Sequence, residues 1–430
     1  MSKHLLLVDD EPMVLTGLQR SLRSMRDEWE MECAIGGVEA LEVMARQPID
    51  VIVTDMRMPG MDGAQLLNEV RRRSPETVRV ALSGQCDRQT VMSAIGSTHQ
   101  YISKPCDAQQ LKDTINHAIA LRNELQTANV TKTVSKLKTI PSLPASYQAM
   151  LAELSSSEPR LDKLATLVTA DMGMAAKCLQ LVNSAFFGLR TPVSGILHAL
   201  NLLGLDLLKS LVLSTHVFSE FSTSIFKGPE IGWLWDHSFA VSLGARKIAE
   251  IEQVSPLAID EASTAGLLHE VGKLVLASCL GNEYRMALDM ATETGITLRE
   301  AEQEVFGCNQ AQVGAYLLGL WGLSDGVIEA VAWHLKPSAA PPIGAPKVRT
   351  GMIGSPVNAE APAGRPPRAF SPLTAVHAAC AFHSGKNPSR LSSGLVLDKS
   401  YLEGLGMAGR ETVWNEGCAE SLTRGRGRSD

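Results

Sequence analysis

Short apolar runs and helical periodicities alternate through the first 120 residues of the chain. HLLLVDD, WEMECA, IDVIVTD, VRVALSG and QYISKP read as five strands, several of them continuously apolar, as strands covered on both faces are. Between and after them GLQRSLRSM, GVEALEVMARQ, GAQLLNEVRRR, RQTVMSAIG and AQQLKDTINHAIALRNEL carry apolar residues at three- and four-residue intervals. This alternation predicts an α/β domain, a doubly wound five-stranded parallel sheet of the flavodoxin-like kind, with its site at the carboxyl ends of the strands.

After Leu125 the strand signals stop. TANVTKTVSKLKT is a polar, partly basic connector whose Val130, Val134 and Leu137 could continue the preceding helix, in a pattern too short for a coiled coil. From Tyr147 to Leu335 the periodicity is almost wholly helical, through LDKLATLVTADMGMAAKCLQLVNSA, GILHALNLLGLDLLKSLVLSTHVF, HSFAVSLGARKIAEI, EASTAGLLHEVGKLVLASCL and AQVGAYLLGLWG. A second, all-α domain is predicted. Pro, Gly and Ala dominate the next stretch, which reads as a flexible insertion, and amphipathic order returns at LTAVHAACAFH and LDKSYLEGLG. The expected division is an α/β domain at 1–122, a helical linker at 123–139, the helical domain at 140–336, the insertion at 337–371, closing helices at 372–418 and a basic tail at 419–430 that frays.

The length of 430 residues, at ~150 per domain, suits about three units. With 40 Lys+Arg against 46 Asp+Glu, the formal charge is −6, which disfavours a polyanion binder held by bulk charge. No helix-turn-helix with a basic recognition helix stands out, so nucleic acid is not an expected partner. The apolar start MSKHLLLVDDEP ends in acids rather than a small-residue cleavage site, and the richest apolar stretch, Ile196 to Phe218, is interrupted by His198, Asp206, Lys209 and His216. The expectation is a cytoplasmic protein without a membrane span, its 8 scattered cysteines reduced.

Asp9 and Asp10 end the first predicted strand and Asp55 ends the third, so three carboxylates gather at one sheet edge. Such a cluster needs a hard cation, and an oxygen-only set suits Mg²⁺, which would neutralise phosphoryl oxygens while one carboxylate attacks phosphorus. Ser83, ending strand four, can offer a hydroxyl to that phosphoryl group, and Lys104, ending strand five, a point charge. Asp62 and Asp87 read as turn or capping residues.

VDDEP, VTDMRMPGMDG, ALSG and YISKP together resemble the receiver domain of two-component response regulators. The resemblance implies Asp55 as phosphoacceptor, Asp9, Asp10 and Asp55 as the Mg²⁺ site, Ser83 and Lys104 as phosphoryl sensors and Tyr101 as the switch aromatic. It also implies a sensor histidine kinase or phosphotransfer protein as partner, a downstream protein as target, and allows a homodimer.

In the helical part, HSFAVSLGARKIA followed by AGLLHEVGKLVL is similar to the HD superfamily of metal-dependent phosphohydrolases, whose ligands are a first His, a His-Asp pair and a later Asp. Here Glu270 replaces the paired Asp, and Cys380 stands where the later Asp is expected. Asn309 and Trp333, the latter beside His334, stand where the cyclic-dinucleotide-cleaving branch has further histidines. DMGMAAKCLQLVNSAFFG and HALNLLGLDLLKSLVLS instead resemble the HDOD family, the HD-related output domain, whose catalytic set has decayed. That resemblance implies no cofactor there and output through protein contacts; His237, His269, Glu270 and Cys380 form at most a vestigial metal site, conceivable for Zn²⁺. The alternative is a receiver-regulated phosphohydrolase or cyclic-dinucleotide phosphodiesterase. Lys273 would pair with Glu270 or a nearby carbonyl, and His334 would be a partly exposed helix end. His198, His216 and His377 read as core or surface residues, Asn183 and Ser184 as capping residues, and Phe186 and Phe187 as core.

Overall fold

The computed structural model describes residues 3–26, 29–83, 97–104, 108–109, 111–116, 134, 140–142, 149–150, 152–154, 156, 158–183, 191–213, 218–220, 228–340, 369–384 and 389–426. Most of the predicted linker and insertion, the helix RQTVMSAIG, Asp87, Ser184, Phe186, Phe187 and His216 lie outside these residues, as does the side chain of Ser83. The chain divides into two compact units, one built mainly from Met1–Asn123 and the other from the helical remainder.

The first unit is the expected parallel sheet. Strands β1 (Lys3–Asp9), β2 (Trp29–Ile35), β3 (Val51–Asp55), β4 (Val78–Ser83) and β5 (Gln100–Ser103) lie in the order β2-β1-β3-β4-β5, the flavodoxin-like order. Helices α1 (Pro12–Ser21), α2 (Gly37–Arg46) and α3 (Gly63–Arg73) connect the first four strands. Central β3 is buried at every position, as a strand covered on both faces must be, whereas edge strand β2 alternates. Register then decides which residues meet. Val8 pairs with Thr54 and Asp55 with Leu82, so Asp9 and Asp55 are the next residues out along neighbouring strands. Ser83 pairs with Ser103, and Lys104 follows it at the same carboxyl edge.

The helical part of the chain contains α4 (Leu161–Thr169), α5 (Met172–Val182), α6 (Ile196–Leu213), α7 (Gly228–Ile251), α8 (Pro256–Leu268), α9 (Val271–Cys279), α10 (Gly281–Thr294), α11 (Leu298–Phe306), α12 (Gln310–Leu320), α13 (Asp325–Trp333), α14 (Pro372–Ser384), α15 (Lys399–Gly404) and α16 (Glu411–Arg426). Helix α7 packs against α8, α14 and α16, and α14 also packs on α8 and α13. Every residue of α14 from Pro372 to Cys380 is buried, the signature of a helix enclosed on all sides.

Four features depart from the sequence reading. The domain is not wholly helical: Ile140–Ser142 (β6) pairs in parallel with Phe218–Glu220 (β7), because the prolines of IPSLPAS favour extended backbone. EASTAGLLHEVGKLVLASCL is two helices, with His269 capping the end of α8 and Glu270, at φ −101° and ψ 5°, opening α9. The stretch expected as an insertion keeps its order through a 3₁₀ turn at Pro337–Ala339 to buried Ala340. Finally, α16 carries helix into the expected basic tail, anchored by buried Trp414 and Cys418 one helical turn apart.

Candidate functional site

At the carboxyl edge of the sheet Asp9 and Asp55 are buried, and one ammonium group bridges them: Lys104 Nζ lies 2.8 Å from Asp9 Oδ2 and 2.5 Å from Asp55 Oδ1. The remaining oxygens are also engaged. Asp55 Oδ2 accepts from the Arg57 backbone N–H at 2.8 Å, and Asp9 Oδ1 from that of Glu11 at 3.0 Å. Burial works to lower the pKa of Lys104, but its hydrogen bonds to Asp55 and Asp9 outweigh it and raise the value. Asp10 is half-buried beside them in sequence, and Tyr101 is buried on β5. Asp62 is the N-cap of α3, accepting from Gln65 N–H at 2.7 Å while Gln65 Oε1 accepts from Asp62 N–H at 3.1 Å. Two carboxylates that share one cation at hydrogen-bond distance, with a third adjacent in sequence, suit a hard divalent ion.

The second cluster lies in the helical unit, where His237 of α7, His269 at the end of α8 and Cys380 of α14 converge. His237 Nε2 and His269 Nε2 are 3.3 Å apart, and Cys380 Sγ is 3.7 Å from each. The tautomer of His269 follows from its other nitrogen: Nδ1–H donates to the Gly266 carbonyl at 2.7 Å, leaving Nε2 with a bare lone pair aimed into the cluster. His237 Nδ1 shares a proton with His383 Nδ1 at 2.7 Å, and its ring stacks on Trp233 with centroids 4.8 Å apart. Burial drives His269 down to about 3 and, aided by the neighbouring His269 and His383, His237 well below its ordinary range; burial also pushes the Cys380 thiol up to about 12. The cluster is a set of neutral imidazoles and a thiol. Among the described residues it is the one group of His, Cys, Asp and Glu side chains at metal-ligand spacing.

Glu270 stands apart from that trio. Its Oε1 is 3.7 Å from His269 Nε2 and 4.0 Å from His237 Nε2, but Oε2 is 2.6 Å from Lys273 Nζ. Lys273 also donates to the Leu391 carbonyl at 2.6 Å, so both pairings expected of it occur. Gly272 between them touches α12: a Cβ there would fall 1.9 Å from the Gln310 carbonyl oxygen. His334 is a correction. It is fully buried, its Nδ1–H donating to Val331 O at 2.8 Å and its ring lying edge-on to His269 with centroids 5.0 Å apart. The helix-end reading is right, but a histidine closing the last turn of a helix inside a core points its Nε2 inward. His383 and buried Glu302, whose Oε2 accepts from Gln310 N–H at 2.8 Å, join this network without having been singled out by sequence. For His383 the signal was position: it lies three residues after Cys380, on the same face of α14. His377 is a core residue, donating to His334 O at 2.7 Å and accepting from Asp398 N–H at 2.9 Å. His198 is exposed, and Asn309 brackets the start of α12 with Gln312.

Residues 5–116 match the response regulator receiver domain, and residues 140–337 match the HDOD domain. Among curated relatives, the hydrogenase transcriptional regulatory protein HoxA of Cupriavidus necator is 37% identical over 116 residues, 26% of this chain and 23% of that protein. The transcriptional regulatory protein GlrR of Escherichia coli is 32% identical over 120 residues, 27% of this chain and 26% of that protein. The chain thus spans about a quarter of the length of these relatives. Among solved structures, the MmoQ response regulator of Methylococcus capsulatus aligns with a TM-score of 0.45 at 22% identity, covering 66% of this chain and 98% of that one. The sheet order, the acidic edge and the first match define a response regulator. Within that class this chain carries a receiver domain followed by an HDOD domain. Among the described residues no helix is long and apolar enough to cross a membrane.

Proposed function

We propose that Asp55 accepts a phosphoryl group from a sensor histidine kinase or phosphotransfer protein, and that the HDOD domain passes the signal on through protein contacts without catalysis. The observation that carries this reading is the Lys104 ammonium bridging Asp9 and Asp55. Asp9, Asp10 and Asp55 would hold Mg²⁺, which supplies charge neutralisation for phosphoryl oxygens when bound. The carboxylate of Asp55 attacks phosphorus, the donor's phosphoramidate or acyl-phosphate bond breaks, and Lys104 pairs with the oxygens that arrive on Asp55. Ser83 is proposed to donate its hydroxyl to the same group, and Tyr101 to change packing with it. The acyl phosphate carries about −1.5 to −2 of charge where the Asp55 carboxylate carried −1, and its extra oxygens bias loops that differ in their contacts between two states.

Asp55→Asn is expected to abolish labelling by radioactive acetyl phosphate or by the kinase; a labile phosphoryl group persisting on that variant would remove the assignment. Pull-downs comparing this variant with wild type under phosphorylating conditions would identify the downstream protein. The phosphohydrolase reading draws on the convergence of His237, His269 and Cys380. Against it stand the burial of all three and the thiol in place of a carboxylate. Cyclic-dinucleotide turnover by the purified protein that disappears in His269→Ala would overturn the non-catalytic assignment.

A further inference from the structure

The helical cluster brings several lone pairs together. His269 Nε2 is bare because its Nδ1–H is committed to Gly266 O, and around it stand His237 Nε2, Cys380 Sγ and Glu270 Oε1. If His237 Nδ1 keeps the proton it shares with His383, the buried Cys380 S–H stands between two imidazole lone pairs, with the Ser384 hydroxyl 3.8 Å from the sulfur. A cation resolves that arrangement. The spacing also selects one. With Zn–N near 2.0–2.1 Å and Zn–S near 2.3 Å, tetrahedral ligands stand about 3.4 Å apart between nitrogens and about 3.6 Å apart between nitrogen and sulfur. The observed separations are 3.3 Å and twice 3.7 Å.

The geometry points to a Zn²⁺ site formed by His237 Nε2, His269 Nε2 and Cys380 Sγ, with His383 positioning His237 from outside and Glu270 beside the two imidazoles. This set does not suit the hard-ion chemistry of HD phosphohydrolases. A thiolate and two imidazoles favour zinc over magnesium or manganese. On binding, the S–H bond of Cys380 breaks heterolytically, its electron pair forms the Zn–S bond, and the proton leaves to solvent. The thiolate offsets one of the ion's two positive charges, while Glu270 stays paired with Lys273 through Oε2. Three separate elements meet at the ion, α7, the α8–α9 junction and α14, so it fastens α14 into the core.

The test is full-length protein loaded with Co²⁺ under reducing, anaerobic conditions. Thiolate-to-cobalt charge-transfer absorption with intense tetrahedral d–d bands, displaced by stoichiometric Zn²⁺, is expected. Cys380→Ser is expected to lose the charge-transfer band, while Cys308→Ser and Cys418→Ser keep it. His383→Ala should weaken zinc by about 10–100-fold, as loss of a positioning partner does. Should Cys380→Ser not fold, zinc K-edge absorption of the wild type decides alone: one sulfur among nitrogen and oxygen neighbours supports the site. No stoichiometric zinc, zinc without a sulfur neighbour, or a charge-transfer band persisting in folded Cys380→Ser overturns it. None of these outcomes touches Asp55, so the receiver assignment stands or falls separately.

Discussion

Glu302 is a carboxyl group inside a core, and burial raises its pKa to about 7 from an ordinary value of 4.5. The folded state therefore keeps a proton that the unfolded chain releases across that interval. Its stabilising contribution is complete below pH 4.5 and is lost as pH rises through 7. Glu302→Gln retains an acceptor for the Gln310 N–H and removes the titration. Relative to wild type it should gain on the order of 3 kcal/mol between pH 4 and pH 8, read from urea unfolding at both values. His334 has the opposite slope: burial holds it down at about 3, so the stability it contributes is present above pH 6.5 and is lost as pH falls toward 3. Side chains at strand ends were legible from sequence, because a parallel sheet of known order gathers Asp9, Asp55 and Lys104 at one edge. Glu302 was not, since nothing in the order of residues tells which charged positions a helical core will enclose, and His383 was marked only by its spacing from Cys380 along one helix face.

Gly272 shows how an element is fixed by its neighbour. With an added Cβ only 1.9 Å from the Gln310 carbonyl oxygen, α9 and the start of α12 must separate before any side chain fits. Gly272→Ala, though favourable for an isolated helix, should cost about 1–3 kcal/mol in a thermal or urea unfolding measurement, because backbone must yield. A destabilisation within ~0.5 kcal/mol would mean that the helices part more easily than their packing implies. Most elements could be read from periodicity, including the buried helix LTAVHAACAFH. The division at His269–Glu270 could not, since the apolar pattern continues across it and the break depends on a histidine ring satisfying the carbonyl of Gly266. Paired strands of three residues, such as β6 and β7, are too short for any period to reveal.

At the scale of the molecule, the acidic edge is complete within one unit: Asp9, Asp10, Asp55 and Lys104 all lie in Met1–Asn123. A fragment of residues 1–123 should therefore take label from acetyl phosphate to the stoichiometry of the whole chain, and its Asp55→Asn variant should take none; an inert wild-type fragment would mean that the helical unit contributes to the site. The helical unit offers no comparable cut. The family match ends at residue 337, yet α14, the helix that brings Cys380 to His237 and His269, begins at Pro372. During synthesis the ribosome thus releases most of this body before the strip that fills its middle has been translated, and the nascent chain must wait open-centred for its last tenants. A premature stop between the two would yield a hollow product fit for a protease, not a smaller working module.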